Sequence, residues 1–540
     1  MPQRTLFSIF SFLLLIAIML FGAYRLNDGS FAYAIDDAYI HLSVSKNLTL
    51  YQLWAVTPYE FSSSSSSMLW PLLNALPMML FGVDSIYPLL LNILLSFGVI
   101  WFIGRILPPS TAYFQPLLIL GIALLIPLPA LTFLGLEHIL HTLLTLTFAW
   151  VSARFLSTDT PTNRQHMWLI ALGVLLPLAR YEGLFLVTIV LVLLLMRGQW
   201  RAAVLLGGLA ALPVVIFGRY SVAQGWLFLP NSVLIKGNAT TFSLSGVLDL
   251  LQHTIDALHE AYVLTPLLLI AFYHFAKHPI EQFWQQRQQL RLLFILATLA
   301  HLPFVFVAKG SHLDALRYDA YLVAFGLIVV AFDLLQYNIA LHPVALIRIQ
   351  FVELTRSPKS LIVVAVCLLF VLPFLSRSLD SIGRTVLSMN NVYERQVQIG
   401  RFLATYYNEQ PIVANDIGAI NFYADLHLID LVGLGTIETV HLMESGNFDR
   451  ENFHALARNK NAQIAIIFDS WAEALIGGIP DQWQLVGRWG IDNHAHPDDN
   501  RFVSFYAIVP EQIDPLRQQL ESFHPTLPPN VIYGINPDVE

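Results

Sequence analysis

Residues 6–24 read LFSIFSFLLLIAIMLFGAY, and residues 25–41 continue RLNDGSFAYAIDDAYIH. The first stretch holds no charge and is about 19 residues long, enough to span a hydrocarbon core of ~30 Å. A cleaved signal peptide is the rival reading. Its apolar region would be shorter, and no small-residue cleavage site closes this one, so the run is expected to be a retained membrane helix. The second stretch is unusual in carrying adjacent carboxylates, Asp36-Asp37, just past the predicted span.

Further apolar runs lie near 86–106, 113–133, 138–157, 202–219, 262–276, 292–308, 319–336 and 360–376. The block 167–196 is interrupted by Arg180-Tyr181-Glu182-Gly183. Charges at mid-membrane are costly, so it reads as two shorter helices meeting at a membrane surface. The total is about eleven helices. Composition agrees: of 540 residues, 56% are hydrophobic and 12% charged, against about 25% charged in soluble domains. Disorder, a fibrous chain and a cytosolic enzyme are excluded. The net charge of −8 argues against a nucleic-acid partner. Cys367 is the single cysteine, so neither an intramolecular disulfide nor a Cys-based zinc site can form.

Orientation follows from Lys and Arg. With the N-terminus inside, the inner segments hold Arg4, Arg105, Arg154, Arg164, Arg197, Arg201, Lys277, Arg287, Arg291, Arg348, Arg356 and Lys359. The outer segments before residue 377 hold Arg25, Lys46, Arg180, Arg219, Lys236, Lys309 and Arg317. The ratio is twelve to seven, and the outer segments are the longer ones. An odd number of spans then puts residues 377–540 outside. The expected division is a membrane domain at 1–376, with a long first outer loop at 25–85, and a soluble domain at 377–540. In the latter, Ile412–Ala414, Ile464–Phe468 and Phe502–Ile508 read as strands, and Asn421–Tyr423 and Glu473–Leu475 sit in helical patterns. Alternation of the two predicts an α/β domain. The Pro-rich tail 523–540 reads as extended.

The chemistry collects on the outer face. The first loop carries Asp36, Asp37, Tyr39, His41, Glu60 and the run Ser62–Ser67. Its portion 67–82 is apolar but holds Pro71 and Pro77, and reads as helix lying on the membrane surface. Two adjacent carboxylates raise the pKa of one of them, which suits a general base. The structural alternative is a helix N-cap. Gly135-Leu136-Glu137-His138, Arg180-Tyr181-Glu182-Gly183, Leu229-Pro230-Asn231-Ser232 with Lys236, and Lys309 with Arg317-Tyr318 fall on the same face. Each alone reads as an interfacial anchor; together they bring carboxylates and cations to one surface, where the cations suit a lipid-linked phosphate. His41 stands at i+4 from Asp37, and His141 at i+4 from Glu137. Neither is the H-E-x-x-H zinc spacing, and a chain with 17 His produces such pairs by chance, so no His-ligated metal is expected.

In this order, these motifs resemble bacterial GT-C glycosyltransferases that use polyprenyl-phosphate sugars. They are joined by Val413-Ala414-Asn415-Asp416-Ile417-Gly418-Ala419-Ile420 and Ile429-Asp430-Leu431-Val432-Gly433-Leu434. The likeness is greatest to the actinobacterial terminal arabinofuranosyltransferases and their relatives. The chain is similar more loosely to the lipid A aminoarabinose transferases and protein O-mannosyltransferases. The likeness runs from about residue 30 to 435, with departures: relatives often read Arg-Pro-(Glu/Asp)-Gly where this chain has Tyr181, and Gly-Tyr where it has serines.

The resemblance implies a polytopic α-helical membrane protein of GT-C type with a C-terminal soluble α/β domain. It implies transfer, with inversion, of an arabinofuranose-like or other pentose or hexose from a polyprenyl-phosphate donor to a cell-envelope glycan or glycolipid acceptor. The setting is a bacterial inner membrane, with the C-terminal domain extracytoplasmic. Asp36 is expected as the base, with Asp37 orienting it or the acceptor. Glu60, Glu137, His138, Arg180, Glu182, Asn231, Lys236, Arg317 and Tyr318 are expected to bind substrate. Some such enzymes use a divalent metal ion and others none, and both stay open. A transporter or flippase for lipid-linked sugars would show internal halves, which are not visible here. A non-catalytic assembly protein would tolerate loss of the Asp pair.

Overall fold

A computed structural model describes residues 3–108, 114–236, 244–304, 313–336, 358–491 and 501–534. Among the described residues, helices cover each of the apolar runs. Four are long and apolar enough to cross a membrane: Thr5–Leu26, Tyr87–Ile106, His138–Leu156 and Trp200–Ala223. Shorter apolar helices cover Leu69–Phe81, Gln115–Leu125, Gly183–Met196 and Leu264–Ala276. Phe10, Phe21, Leu94, Val204 and Ile216 are exposed on the outside of the bundle. A soluble protein would bury such side chains; lipid tails are their matching solvent.

Local sequence explains where the bundle departs from expectation. The run 113–133 is two helices, Phe114–Leu125 and Leu128–Phe133, parted at Pro127. The domain boundary expected at 376/377 falls inside one continuous helix, Pro358–Val392. Hydropathy drops there, but the helical period does not: Ile382, Val386 and Met389 still face the bundle core. The rod passes through a π-turn at Tyr393–Val397 into Gln398–Tyr406. It thus runs without a loop from the membrane bundle into the last domain. Helix Leu244–Glu260 matches none of the expected apolar runs. It leaves Leu248, Leu251 and Ile255 exposed along one stripe, as an interfacial helix does.

Among the described residues the last domain has six strands: β1 (Pro411–Ala414), β2 (His427–Asp430), β3 (Ile464–Ile467), β4 (Gln484–Ile491), β5 (Phe502–Ala507) and β6 (Val531–Gly534). They lie in the order β2-β1-β3-β5-β4-β6. β1 pairs parallel with β2 and β3, and the remaining pairs are antiparallel. The three strands expected from sequence are β1, β3 and β5. Part of the expected extended tail is β6; residues 535–540 lie outside the described residues. Phe402 anchors the sheet to the rod, packing edge-on against Trp489, Phe505 and Phe523.

The first outer loop docks on this domain. Helix Asp37–Tyr51 packs on the short helix Ala419–Tyr423 that comes after β1. Lys46, buried to 7% exposure, donates to the carbonyls of Asn421 at 2.8 Å and Phe422 at 3.0 Å and pairs with Asp425 at 3.0 Å. A buried ammonium needs such partners to offset its desolvation. Ser43 adds a bond to the Gly418 carbonyl.

Candidate active site

A helix turns about 100° per residue, so the neighbours Asp36 and Asp37 face different surroundings. Asp36 looks toward the C-terminal domain, the side on which Ile40 and Val44 join that domain's core. Its carboxylate accepts the backbone amides of Gly418 at 2.7 Å and Ala419 at 2.8 Å. Although it stands at the N-cap position of its own helix, it makes no cap bond there. Instead it caps a helix some 380 residues away. Burial and the nearby Asp416 push its carboxyl up, to about 8, against the pull of the two amides. Asp37 looks the other way, into a cavity, and pairs with Arg317 at 2.7 Å.

The cavity measures about 360 Å³ and sits at the end of the bundle nearest the C-terminal domain. Its polar wall includes Asp37, His41, Ser66, His138, Arg180, Glu182, Arg317 and Tyr318. Its apolar wall includes Tyr181, Phe185, Leu229, Val233 and Phe304. Two glycines set the polar wall. Gly135 turns the chain ahead of Glu137 at φ +70°, where a Cβ would lie 2.5 Å from the Tyr33 ring. Gly183 starts the helix after Glu182 so close to its predecessor that a Cβ would meet the Leu176 carbonyl at 2.8 Å. The interrupted block at 180–183 therefore folds as a hairpin of helices that aims Arg180 and Glu182 inward.

Arg180 lies between two carboxylates: Glu137, fully buried, at 2.7 Å, and Glu182 at 2.6 Å. It also donates to His138 Nε2 at 2.9 Å; a guanidinium only donates, so that nitrogen accepts. Burial pushes the Glu182 carboxyl up, but the Arg180 charge and its hydrogen bonds outweigh this and hold it at about 2. Burial also opposes the charge of Arg180, yet the two carboxylates keep it firmly protonated. Glu137 is fixed further by Ser66 Oγ, which donates at 3.2 Å, and its other oxygen lies 3.5 Å from His41 Nε2. The Tyr318 ring sits near both guanidiniums, 5.7 Å from Arg180 and 5.0 Å from Arg317.

Other expected residues are placed elsewhere. Glu60 is exposed and is not part of the cavity wall. Asn231 is buried beside the wall and donates to the Gly433 carbonyl at 2.8 Å, so the loop after β2 leans on the cavity's edge. The Asp430 carboxylate shapes that loop by accepting the amides of Val432 and Gly435, both at 2.8 Å. Lys236 ends helix Asn231–Lys236; its side chain, like Lys309, lies outside the described residues. Among the described residues no group of three or more His, Cys, Asp or Glu could hold a metal ion.

His41 and Ser66 join the site without having been expected to bind substrate. The signal for His41 is its i+4 spacing from Asp37; Ser66 sits in a run that reads as low complexity. That run is structural. Ser65 Oγ meets His41 Nδ1 at 3.0 Å, and Ser67 Oγ accepts the Trp70 amide at 3.0 Å at the head of the next helix.

The Asp36 clamp leaves no room at Gly418, where a Cβ would lie 2.2 Å from the Asp36 carbonyl oxygen and 2.7 Å from its Oδ2. Gly418→Ala is expected to destabilise the protein by about 1–3 kcal/mol, the usual cost of overpacking. Gly383→Ala, whose new methyl meets nothing, is expected to melt like wild type. Thermal melting of the purified protein compares the two.

Residues 390–506 match the model of a domain of unknown function (DUF8728). No curated protein matches the sequence. Among solved structures the chain is similar to ArnT from Cupriavidus metallidurans bound to undecaprenyl phosphate, at 15% identity over 92% of this chain and 98% of that one, with a TM-score of 0.49. It is also similar to the oligosaccharyltransferase AglB from Archaeoglobus fulgidus in complex with an inhibitory peptide and a dolichol-phosphate. There the identity is 12% over 97% of this chain and 75% of that one, with a TM-score of 0.45.

Proposed function

We propose that this chain is a membrane glycosyltransferase that moves a sugar from a polyprenyl-phosphate donor to a hydroxyl of a cell-envelope glycan or glycolipid, with inversion. The observation that carries the reading is the cavity itself. A carboxylate paired with one arginine and a second arginine framed by carboxylates share a pocket whose other wall is apolar. A lipid phosphate fits that combination: guanidiniums for the phosphate, an apolar wall for the chain.

In this reading Asp37, not Asp36, is the base. Asp36 has the proton affinity a base needs, but both of its oxygens are held by amides and it does not line the cavity. Asp37 takes the proton of the acceptor hydroxyl, and the acceptor oxygen attacks the anomeric carbon. The bond from that carbon to the phosphate oxygen breaks, and its electron pair leaves with the polyprenyl phosphate. Arg317 and Arg180 oppose the charge that grows on the leaving group. The sugar is an arabinofuranose-like or other pentose or hexose, as the motif order suggests.

The experiment is transfer from labelled polyprenyl-phosphate sugars by purified protein in nanodiscs with a lipid extract as acceptor. A labelled product supports the reading. Labelled lipid crossing the bilayer without product would favour a flippase, and neither result would favour an assembly protein.

Residues 36–46 bind residues 418–425 directly, which supports placing the first loop and the C-terminal domain on one side of the membrane. With the Lys/Arg asymmetry, that side is proposed to be extracytoplasmic. Reporters fused after residue 540 and inserted within 337–359 are expected to mark opposite sides. Both reporting the cytoplasm would defeat the topology and the site together.

A further inference from the structure

Three carboxylates, Asp37, Glu137 and Glu182, face two guanidiniums, Arg180 and Arg317, at or directly behind the cavity wall. Each guanidinium already holds an anion, so an incoming phosphate must displace one. The carboxylates are not equally displaceable. Glu137 is 0% exposed and is held by hydrogen bonds from Arg180 and Ser66. Asp37 and Glu182 are 28% and 16% exposed, and each stands where a helix begins. Side chains there swing without moving a helix, and the cavity gives them space.

Resting on the glycosyltransferase reading, we propose that Asp37 and Glu182 occupy the phosphate's place before the donor arrives, and that phosphate binding expels Asp37 from Arg317 and so frees it to act as base. Glu137 stays on Arg180 throughout and keeps that buried charge compensated. A carboxylate paired with a guanidinium is a weak proton acceptor; released from it in an apolar-walled cavity, it becomes a stronger one. The acceptor hydroxyl is therefore deprotonated only after the donor is seated. The order of binding is donor first.

The test is binding of undecaprenyl phosphate to the full chain in nanodiscs. Removing an anion that competes for the site strengthens binding, so Asp37→Asn is expected to lower the Kd by roughly 5–150-fold, the range of such couplings, even as transfer falls. Glu182→Gln is expected to act in the same direction. Glu137→Gln is expected to tighten binding less than either. Equal gains from all three variants would reduce the effect to general charge and overturn the exchange, as would no gain in Asp37→Asn. A second measurement needs no variant. In a cryo-electron-microscopy structure of the wild-type protein with undecaprenyl phosphate, a phosphate oxygen is expected on Arg317 and the Asp37 carboxylate beyond ~4 Å from it, the outer limit of an ion pair. An intact Asp37–Arg317 pair beside bound phosphate would overturn the proposal while leaving the glycosyltransferase reading standing. If neither wild type nor Asp37→Asn binds the lipid, that reading falls and takes the exchange with it.

Discussion

Asp37→Asn is expected to lower sugar transfer by about 10²–10⁴-fold, the usual contribution of a general base, and to melt below wild type, because Arg317, 8% exposed, loses its counter-ion. The Asn side chain keeps the size of Asp and can still accept a hydrogen bond from Arg317, so the cavity keeps its shape; what is lost is a site for the acceptor's proton. Asp36→Asn is expected to behave differently. An Asn oxygen can accept one of the two amides that Asp36 accepts from Gly418 and Ala419, and its NH2 group faces the other. Stability should fall, by about 1–3 kcal/mol for a buried amide left without its acceptor, with a change in transfer well below that of Asp37→Asn. Transfer from labelled donor in nanodiscs, beside thermal melting, separates the two. The reverse pattern would return the base to Asp36, and full activity in both variants would end the catalytic reading of the pair.

The second large effect belongs to Arg180. Its side chain is 7% exposed and compensates Glu137, which has no exposure at all. Arg180→Ala leaves a buried carboxylate without its cation, and breaking a buried pair from one side costs about 3–5 kcal/mol. The variant is therefore expected to melt well below wild type and to lose transfer. Adding Glu137→Gln removes the orphaned charge, so the double variant should recover much of the lost stability but none of the activity. Arg180→Lys keeps the charge yet cannot reproduce the fork that spans Glu137, Glu182 and His138, and should fall between. If the double variant melts no higher than Arg180→Ala, the stability of the site does not rest on this pair.

Much of this cavity is legible in the sequence as an ordering of short motifs. Charges at the ends of predicted spans on one face have to lie near one another, and Asp37, His138, Arg180, Glu182, Arg317 and Tyr318 do. The division of labour between Asp36 and Asp37 is not legible, because adjacency in sequence says nothing about which way each side chain turns. The cue is nearby: Ile40 and Val44 mark the face packed on the C-terminal domain, and His41 marks the face on the cavity. A helix places Asp36 with the first set and Asp37 with the second. The domain boundary is misplaced for a related reason. Hydropathy drops past residue 376 while the helix Pro358–Val392 runs on through it. β2, with four residues, and β6, in a Pro-rich tail, are too short to show alternation, and β4 is interrupted by Gly487 and Gly490.

Lys46 has a consequence for how the protein is made. Its ammonium is satisfied by carbonyls 375 and 376 residues further along the chain. At a synthesis rate of about 5–20 residues per second, the first loop waits roughly 20–75 s for those partners to leave the ribosome. During that interval Lys46 must stay hydrated, and the helix that carries Asp37 has no surface to settle on. A nascent chain can thus have its first membrane helices in place, with lipid all around it, and still be inert. The partners of Lys46 arrive only with the last quarter of the polypeptide, so a ribosome that stalls early leaves behind an anchored chain whose first loop has nothing to dock on.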